Sequence, residues 1–231
     1  YYQASMGLFP RVLRPVMRQF LENARESNSF WLRCDCWVAI VRTRFPKVLH
    51  LRKENSEANN VFTDLEILEI SECCKLQKLI PSSRYFKKLR TLEVSKCDGL
   101  KHLATPSTSQ GLVNLARMNM TDCKMIEEVI QLQVGEEAMN DCIIFRQLEY
   151  LGLNCLPSLT GFYSGNCTLE FPSLEQVLVR QCPKMMIFSP GVLGTLKLNK
   201  VQLTEADDQG CWEGNLNDTV QKLFSEMVGI N

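Results

Sequence analysis

Cysteine is the residue type in this sequence with the greatest capacity for chemistry, since the chain holds eleven among its 231 residues. Thiolates bind zinc, form disulfides or act as nucleophiles. A structural zinc site needs C-x2-C pairs, and the spacing of Cys34-Asp35-Cys36 and of Cys73-Cys74 is wrong for one. An odd number of widely spread cysteines also differs from a secreted disulfide framework. We therefore expect reduced thiols, no metal site and an intracellular, cytoplasmic compartment.

Other motifs for catalysis or cofactor binding do not occur in the sequence. The two histidines, His50 and His102, fall in the outer half of a repeat, and we expect both at the surface. The glycines and lysine of Gly191-x-x-Gly194-x-x-Lys197 lack the spacing that cradles phosphates. The acidic run at 205–208 lacks the spacing of oxygen ligands found in a calcium-binding loop, and we expect a solvated turn there. The sequence predicts neither an enzyme nor a bound cofactor.

Composition and charge limit the class of partner. Apolar residues make up 45% of the chain and charged residues 23%, as in ordinary globular proteins. The 26 basic and 26 acidic side chains cancel, which argues against nucleic acid as a partner. No apolar run approaches the length of a membrane span. The chain begins with Tyr1, and we expect it to be a piece of a longer protein.

A repeated frame of apolar residues explains the positions of four of the eleven cysteines. It reads L-x-x-L-x-L-x-x-C-x-x-L-x-x-L, as in the segment 89–103. Six copies begin at these residues: Leu65, Leu89, Leu115, Leu148, Leu174 and Leu198. Their steps of 24 to 26 residues, widened once to 33 by a loop at 135–141, are those of leucine-rich repeats. A weaker copy at 37–51 carries Arg42 in a strand position.

The spacing of the frame predicts an α/β leucine-rich-repeat solenoid, a horseshoe with short parallel strands on its concave face and an irregular outer side. The alternating piece of each copy is a short strand whose leucines turn inward. We expect burial of these strand residues: Leu68, Ile70, Leu92, Val94, Leu151, Leu153, Val177 and Val179. The cysteine positions lie where the chain leaves the strand: Cys73, Cys97, Cys123 and Cys182. A free thiol there is a small buried group with a weak S–H donor for the turn backbone.

Three regions follow from this pattern. Residues 1–36 are predicted to be a basic segment, since the first 53 residues hold ten Lys/Arg against three Asp/Glu. Apolar residues at helical spacing predict an amphipathic helix near 12–26 within this segment. Residues 37–204 form the repeats, with 105–110 as an outer loop. Residues 205–231 form the acidic turn and a C-terminal helix that covers the open end of the core. The residues on its apolar face are Leu216, Val220, Leu223, Phe224 and Met227, after Asn215 or Asn217 as N-cap.

Alternate strand residues must point to the concave, solvent side and form a candidate protein-binding face. The residues predicted there are Ile67, Glu69, Thr91, Glu93, Arg117, Asn119, Tyr150, Leu178 and Arg180. Glu69 and Glu93 would lie side by side, and Ile67, Tyr150 and Leu178 would be exposed apolar groups. Tyrosine and arginine are enriched at binding hot spots. No role follows for the cysteines outside the frame, namely Cys34, Cys36, Cys74, Cys142, Cys167 and Cys211.

With the repeats aligned, the sequence resembles the C-terminal leucine-rich-repeat region of plant disease-resistance proteins of the coiled-coil, nucleotide-binding, leucine-rich-repeat class. The resemblance rests on the segments 65–76 and 89–97, on FPSLE at 171–175, and on CPKM and FSPG between 182 and 191. The tail from Gly210-Cys211-Trp212 to Leu223-Phe224 is also similar. The resemblance covers about residues 37–231.

This resemblance implies the sensing part of an intracellular immune receptor, which recognises a pathogen effector or a host protein that the effector modifies. It also implies contact with the receptor's own nucleotide-binding domain, which would hold the ATP or ADP and is not in this chain. One alternative is the substrate-binding array of an F-box ubiquitin-ligase adaptor, which would need F-box helices and a more regular period. Another is a receptor-kinase ectodomain, which would need Asn in the cysteine position. An enzyme is the least supported class.

Overall fold

The computed structural model describes residues 66–72, 79, 86–132, 142–203 and 210–229. Several predictions fall outside these ranges. They are the basic segment 1–36, the weaker repeat at 37–51, the loop at 135–141, the acidic run at 205–208, His50 and Cys73.

One seven-stranded sheet runs through all six repeats, in the order β1-β2-β3-β6-β9-β11-β12. In chain order the strands are β1 (Ile67–Ser71), β2 (Thr91–Ser95), β3 (Arg117–Thr121), β4 (Glu128–Ile130), β5 (Ile143–Ile144), β6 (Tyr150–Asn154), β7 (Gly161–Tyr163), β8 (Leu169–Glu170), β9 (Gln176–Arg180), β10 (Leu193–Gly194), β11 (Val201–Gln202) and β12 (Gly210–Cys211). The first six strands of the sheet are parallel and in register, whereas β12 is antiparallel to β11. The predicted solenoid is confirmed, with a sixth strand of only two residues.

The core is the column of inward apolar side chains behind this sheet. All eight strand residues predicted to be buried are buried, and Leu92, Leu151, Leu153 and Val177 are fully so. Burying one such side chain contributes roughly 1.5–3 kcal/mol. Because each repeat stacks its column on the next, the repeats share one core.

Each five-residue strand of the sheet is followed by a residue in the left-handed backbone conformation, where the chain turns away from the strand. The five residues, with φ between 51° and 60°, are Glu72, Lys96, Asp122, Cys155 and Gln181. The Lys96 amide still donates to the Thr121 carbonyl at 2.9 Å, which lengthens the ladder by one bond. Beyond the turn, the Cys97 thiol donates to the Ser95 carbonyl at 3.3 Å. The thiols of Cys123 and Cys182 donate to the equivalent carbonyls of Thr121 and Arg180 at 3.4 Å, which confirms the predicted role at these three of the four cysteine positions.

We expect Cys97, Cys123 and Cys182 to be alkylated slowly in the native protein and quickly in denaturant. All three are buried, and burial raises the pKa of Cys182 to about 11. The hydrogen bond with Cys97, followed by burial, raises the pKa of Cys123. The reactive thiolate is therefore scarce at neutral pH.

The measurement is mass spectrometry of tryptic peptides after timed iodoacetamide treatment. The exposed Cys142 serves as the reference within the same chain. If the three buried thiols were labelled natively as fast as Cys142, the cysteine column would not lie inside the core.

The outer side is built from two- and three-residue strands joined by turns. β4 pairs with β7, and β8 lies between β5 and β10. Four buried phenylalanines stack behind these strands: Phe145, Phe162, Phe171 and Phe188. The Phe162 and Phe188 rings are parallel at 4.8 Å between centroids, and the Phe145 and Phe171 rings at 5.3 Å. Edge-to-face contacts of 5.5 to 5.9 Å join the two pairs, so the stack links successive repeats.

The prediction of a loop at 105–110 is wrong, since a short helix, α1 (Pro106–Ser109), and a 3₁₀ turn (Gln110–Leu112) stand there. Thr105 caps α1 through a capping box. Its hydroxyl accepts from the Thr108 amide at 3.4 Å, and its own amide donates to the Thr108 hydroxyl at 2.8 Å. Pro106 sits in the first turn, where its missing N–H costs nothing.

The C-terminal helix α2 (Leu216–Val228) covers the end of the core, as predicted. Leu216, Val220 and Leu223 are buried, and Phe224 is half-buried. Asn215 is the N-cap, because its side-chain oxygen accepts from the Asp218 amide at 2.9 Å. Trp212, just before the helix, also packs against the core.

The Asn217 side chain joins α2 to the last described outer turn through hydrogen bonds to its backbone. Within the array, the Phe162 amide donates to the Phe188 carbonyl of the next repeat at 2.8 Å. The amides of Phe188 and Ser189 in the last described outer turn instead donate to the Asn217 side-chain oxygen, at 3.0 and 3.1 Å. Its amide nitrogen donates to the Ser189 carbonyl at 2.8 Å.

We expect Asn217→Leu to lower the free energy of unfolding by roughly 2–3 kcal/mol, because it leaves buried donors without a partner. Asn215→Ala, which removes the exposed N-cap two residues earlier, should cost only about 1 kcal/mol. Urea denaturation followed by circular dichroism measures both. A loss for Asn217→Leu no larger than that for Asn215→Ala would mean that the side chain does not hold the helix in place.

Candidate protein-binding face

The strands place the predicted site residues on one face of the sheet. In β1, β2 and β3, half-buried residues alternate with buried core residues, so the half-buried set faces away from the core. The register aligns these residues in three rows across the strands. The rows are Ile67, Thr91, Arg117, Tyr150 and Gln176; Glu69, Glu93, Asn119, Gly152 and Leu178; and Ser71, Ser95, Thr121, Asn154 and Arg180. We call these fifteen residues the concave face.

Two glutamates lie side by side at the β1–β2 end of the concave face. Glu69 and Glu93 are partners in register, as predicted. Like charges in this position repel each other. The Glu93 Oε1 atom also lies 3.6 Å from the Arg117 Nε atom. The side chains of Glu93 and Arg117 are 40% and 39% exposed. No basic group in the described part of the chain pairs with Glu69.

Arg117 is held against the face by an aromatic ring as well as by Glu93. Its guanidinium carbon lies 3.7 Å from the centroid of the Tyr150 ring. A cation over a tyrosine ring gains about 0.5–2 kcal/mol, and the planar guanidinium stacks well there. Glu93, Arg117 and Tyr150 therefore form one connected unit across β2, β3 and β6.

The prediction that Tyr150 and Leu178 are exposed is wrong, since they keep only 9% and 4% of their accessible surface. Arg117 covers the Tyr150 ring from one side. Gly152 has no side chain, and the Tyr150 ring and the Asn119 amide lie where a Cβ atom would be. Leu178 is the register partner of Gly152, and burial of a leucine is favourable. Ile67 is half-buried rather than fully exposed.

Gly152 is one of the six residues of the concave face that the predicted set of nine omitted. A glycine inside a strand marks a close approach of neighbouring groups, and this signal was available in the sequence. A larger residue there would collide with Asn119 and Tyr150. The missing side chain of Gly152 therefore leaves the space in the middle of the concave face that Asn119 and the Tyr150 ring occupy.

The third row is polar and ends in a cation. The Ser95 hydroxyl donates to the Ser71 hydroxyl at 3.0 Å. Arg180, at the end of β9, is exposed, and no acidic group in the described ranges pairs with it. This side of the face is therefore open to an anionic group.

The prediction for His102 is also wrong, since it is buried with 6% of its surface accessible. The backbone beside it pairs with the next repeat, where the Leu103 amide donates to the Val129 carbonyl at 2.9 Å. Stacking of the outer turns thus covers the side chain. Among the residues that the structure describes, no cluster of His, Cys, Asp or Glu could hold a metal ion. No helix in the same residues is long and apolar enough to span a membrane.

Comparison with known proteins gives one match to a family model. Residues 82–207 match the model described as plant disease resistance protein RPS2-like, leucine-rich repeats. This segment contains the strands from β2 to β11 and therefore most of the concave face.

Curated relatives come from Arabidopsis thaliana. Disease resistance protein SUMM2 is 30% identical over 105 residues, which are 46% of this chain and 11% of the relative. A probable disease resistance protein is 34% identical over 105 residues, 45% of this chain and 11% of its own length. Disease resistance protein RPS5 is 30% identical over 105 residues, with shares of 46% and 11%. The chain thus matches about a tenth of each relative's length. No solved structure matches.

Proposed function

Because this chain belongs to the RPS2-like leucine-rich-repeat family of plant disease resistance proteins, we propose that it is the protein-recognition part of an intracellular immune receptor. It is a defense-related leucine-rich-repeat module, and such modules bind other proteins. Under the proposal its partner is a pathogen effector, or a host protein that an effector has modified. The receptor would act in the cytoplasm.

The observation that carries the proposal is the connected unit of Glu93, Arg117 and Tyr150 on a rigid sheet. Binding costs less when side chains are already held in place, since less rotamer freedom is lost. Arginine and tyrosine are the types that contribute most at protein interfaces. Strands that are bonded on both sides keep this unit in a fixed position.

A second partner in the proposal is the receptor's own nucleotide-binding domain. Under the proposal such a domain would stand elsewhere in the intact receptor and would hold the ATP or ADP. The repeats would then restrain that domain until a partner binds. No residue of the present chain is assigned to the nucleotide.

The test is a two-hybrid screen of the chain against libraries of pathogen effectors and host coding sequences, followed by calorimetry on each candidate. We expect Glu69→Lys/Glu93→Lys to weaken binding of the true partner at least about tenfold, because it reverses the charge at one end of the face. Circular dichroism melting must first show that the variant is folded.

The matched control is Glu127→Lys/Glu226→Lys, which makes the same charge change at exposed residues outside the concave face. It should bind as wild type does. A partner whose affinity falls with this control, but not with Glu69→Lys/Glu93→Lys, would place recognition elsewhere on the molecule. A partner indifferent to both would also contradict a role for the concave face.

A further inference from the structure

We infer that the partner segment is dipolar, with a basic group over β1 and β2 and an acidic group over the end of β9. This inference rests on the proposed function, because it names the chemistry of what the concave face binds. It follows from two charged side chains of the concave face, Glu69 and Arg180, for which the described residues supply no ion-pair partner.

The first unbalanced charge is at Glu69. Its register partner is Glu93, which already forms an ion pair with Arg117 at 3.6 Å. Glu69 is half-buried and has no basic partner in the described ranges. A lysine or arginine placed between the two glutamates would relieve their repulsion and gain a partner for each.

The second unbalanced charge is at Arg180. It is exposed at the end of β9, and its register partner, Asn154, is neutral. A guanidinium offers a planar fork of donors that matches a carboxylate. An aspartate or glutamate of the partner therefore fits this end.

The middle of the face is neutral and partly apolar. Arg117 is balanced by Glu93 and stacked on Tyr150. Asn119, Gly152 and Leu178 carry no charge. The partner needs small or apolar side chains there, because a charge over this region would lose water without gaining a partner.

The geometry sets the separation of the two partner charges. Glu69 and Arg180 are four strand spacings apart in the order β1-β2-β3-β6-β9 and two residues apart along the strands. With about 4.8 Å between strands and about 3.3 Å per residue, the distance is about 20 Å. An extended segment covers this in about six residues and a helix in about thirteen.

The experiment is selection of random 16-residue peptides, displayed on phage, against the whole 231-residue chain. Enriched peptides are synthesised, and their affinity is measured for wild type, Glu69→Lys and Arg180→Glu. Glu127→Lys and Lys184→Glu, both at exposed residues outside the face, are the controls. Melting curves establish that each variant is folded.

We expect enriched peptides to carry a basic and an acidic residue at one of the two separations. Each face variant should weaken binding on the order of fivefold, and reversing the matching peptide charge should restore it. The controls should have no effect.

Peptides sensitive to Glu69→Lys but not to Arg180→Glu would overturn the dipolar inference and leave recognition by the concave face intact. Peptides indifferent to both variants and to Tyr150→Ala would contradict the proposed function itself. A selection in which no peptide is enriched would also contradict the inference.

Discussion

Leu92→Asp is expected to unfold the repeat array. Leu92 is fully buried between Leu68 and Met118 of the neighbouring strands. An unpaired carboxylate in an apolar core costs several kcal/mol, which is comparable to the roughly 5–15 kcal/mol that stabilises a whole domain. Since the repeats share one core, the damage spreads to both neighbours. Circular dichroism melting and urea denaturation of the full chain measure the loss.

The control for this variant is Thr91→Asp, one residue earlier in β2. It introduces the same charge into the same strand, but Thr91 is half-buried on the concave face. Its effect should be within about 1 kcal/mol, as is usual for surface substitutions. A Leu92→Asp protein that melts cooperatively at the wild-type temperature would refute the inward orientation of Leu92.

Phe162→Ala is expected to lower the free energy of unfolding by roughly 3–5 kcal/mol, the usual cost of deleting a buried phenylalanine. The Phe162 ring contacts three others: Phe145 at 5.9 Å, Phe171 at 5.5 Å and Phe188 at 4.8 Å. Its removal would open a cavity between the outer turns of successive repeats, where the four rings pack against each other. Urea denaturation again gives the magnitude.

Phe224→Ala is the comparison, since Phe224 is half-buried on α2 and stands outside the stack. Its loss should be clearly smaller. If both variants lowered the free energy of unfolding by the same amount, the four rings would not act as the link between outer turns.

The strands and their register could be predicted because the repeat frame itself encodes them. A slip of one residue would turn Leu92 and Val94 outward, so a single register buries the core. The turn chemistry of Cys97 was predictable for the same reason, since its position after the strand recurs in other repeats. The pairing of Glu69 with Glu93 followed directly from that register.

The burial of Tyr150 and Leu178 could not be predicted from alternation alone. It depends on Arg117, 33 residues earlier in the chain, and on the missing side chain of Gly152. Such contacts are set by side-chain conformations across strands, which strand spacing does not fix. Asn217 is a similar case, because a side chain that replaces backbone has no periodic signal.

The strand register is the central claim, since every residue of the concave face is assigned through it. Nuclear Overhauser contacts between backbone protons of isotopically labelled protein test it most directly. We predict contacts between strands for facing residues, such as Glu93 with Asn119 in β2 and β3, and Leu153 with Val179 in β6 and β9. Contacts of an antiparallel hairpin, of a helix, or of strands shifted by one residue would contradict the register and with it the proposed binding face.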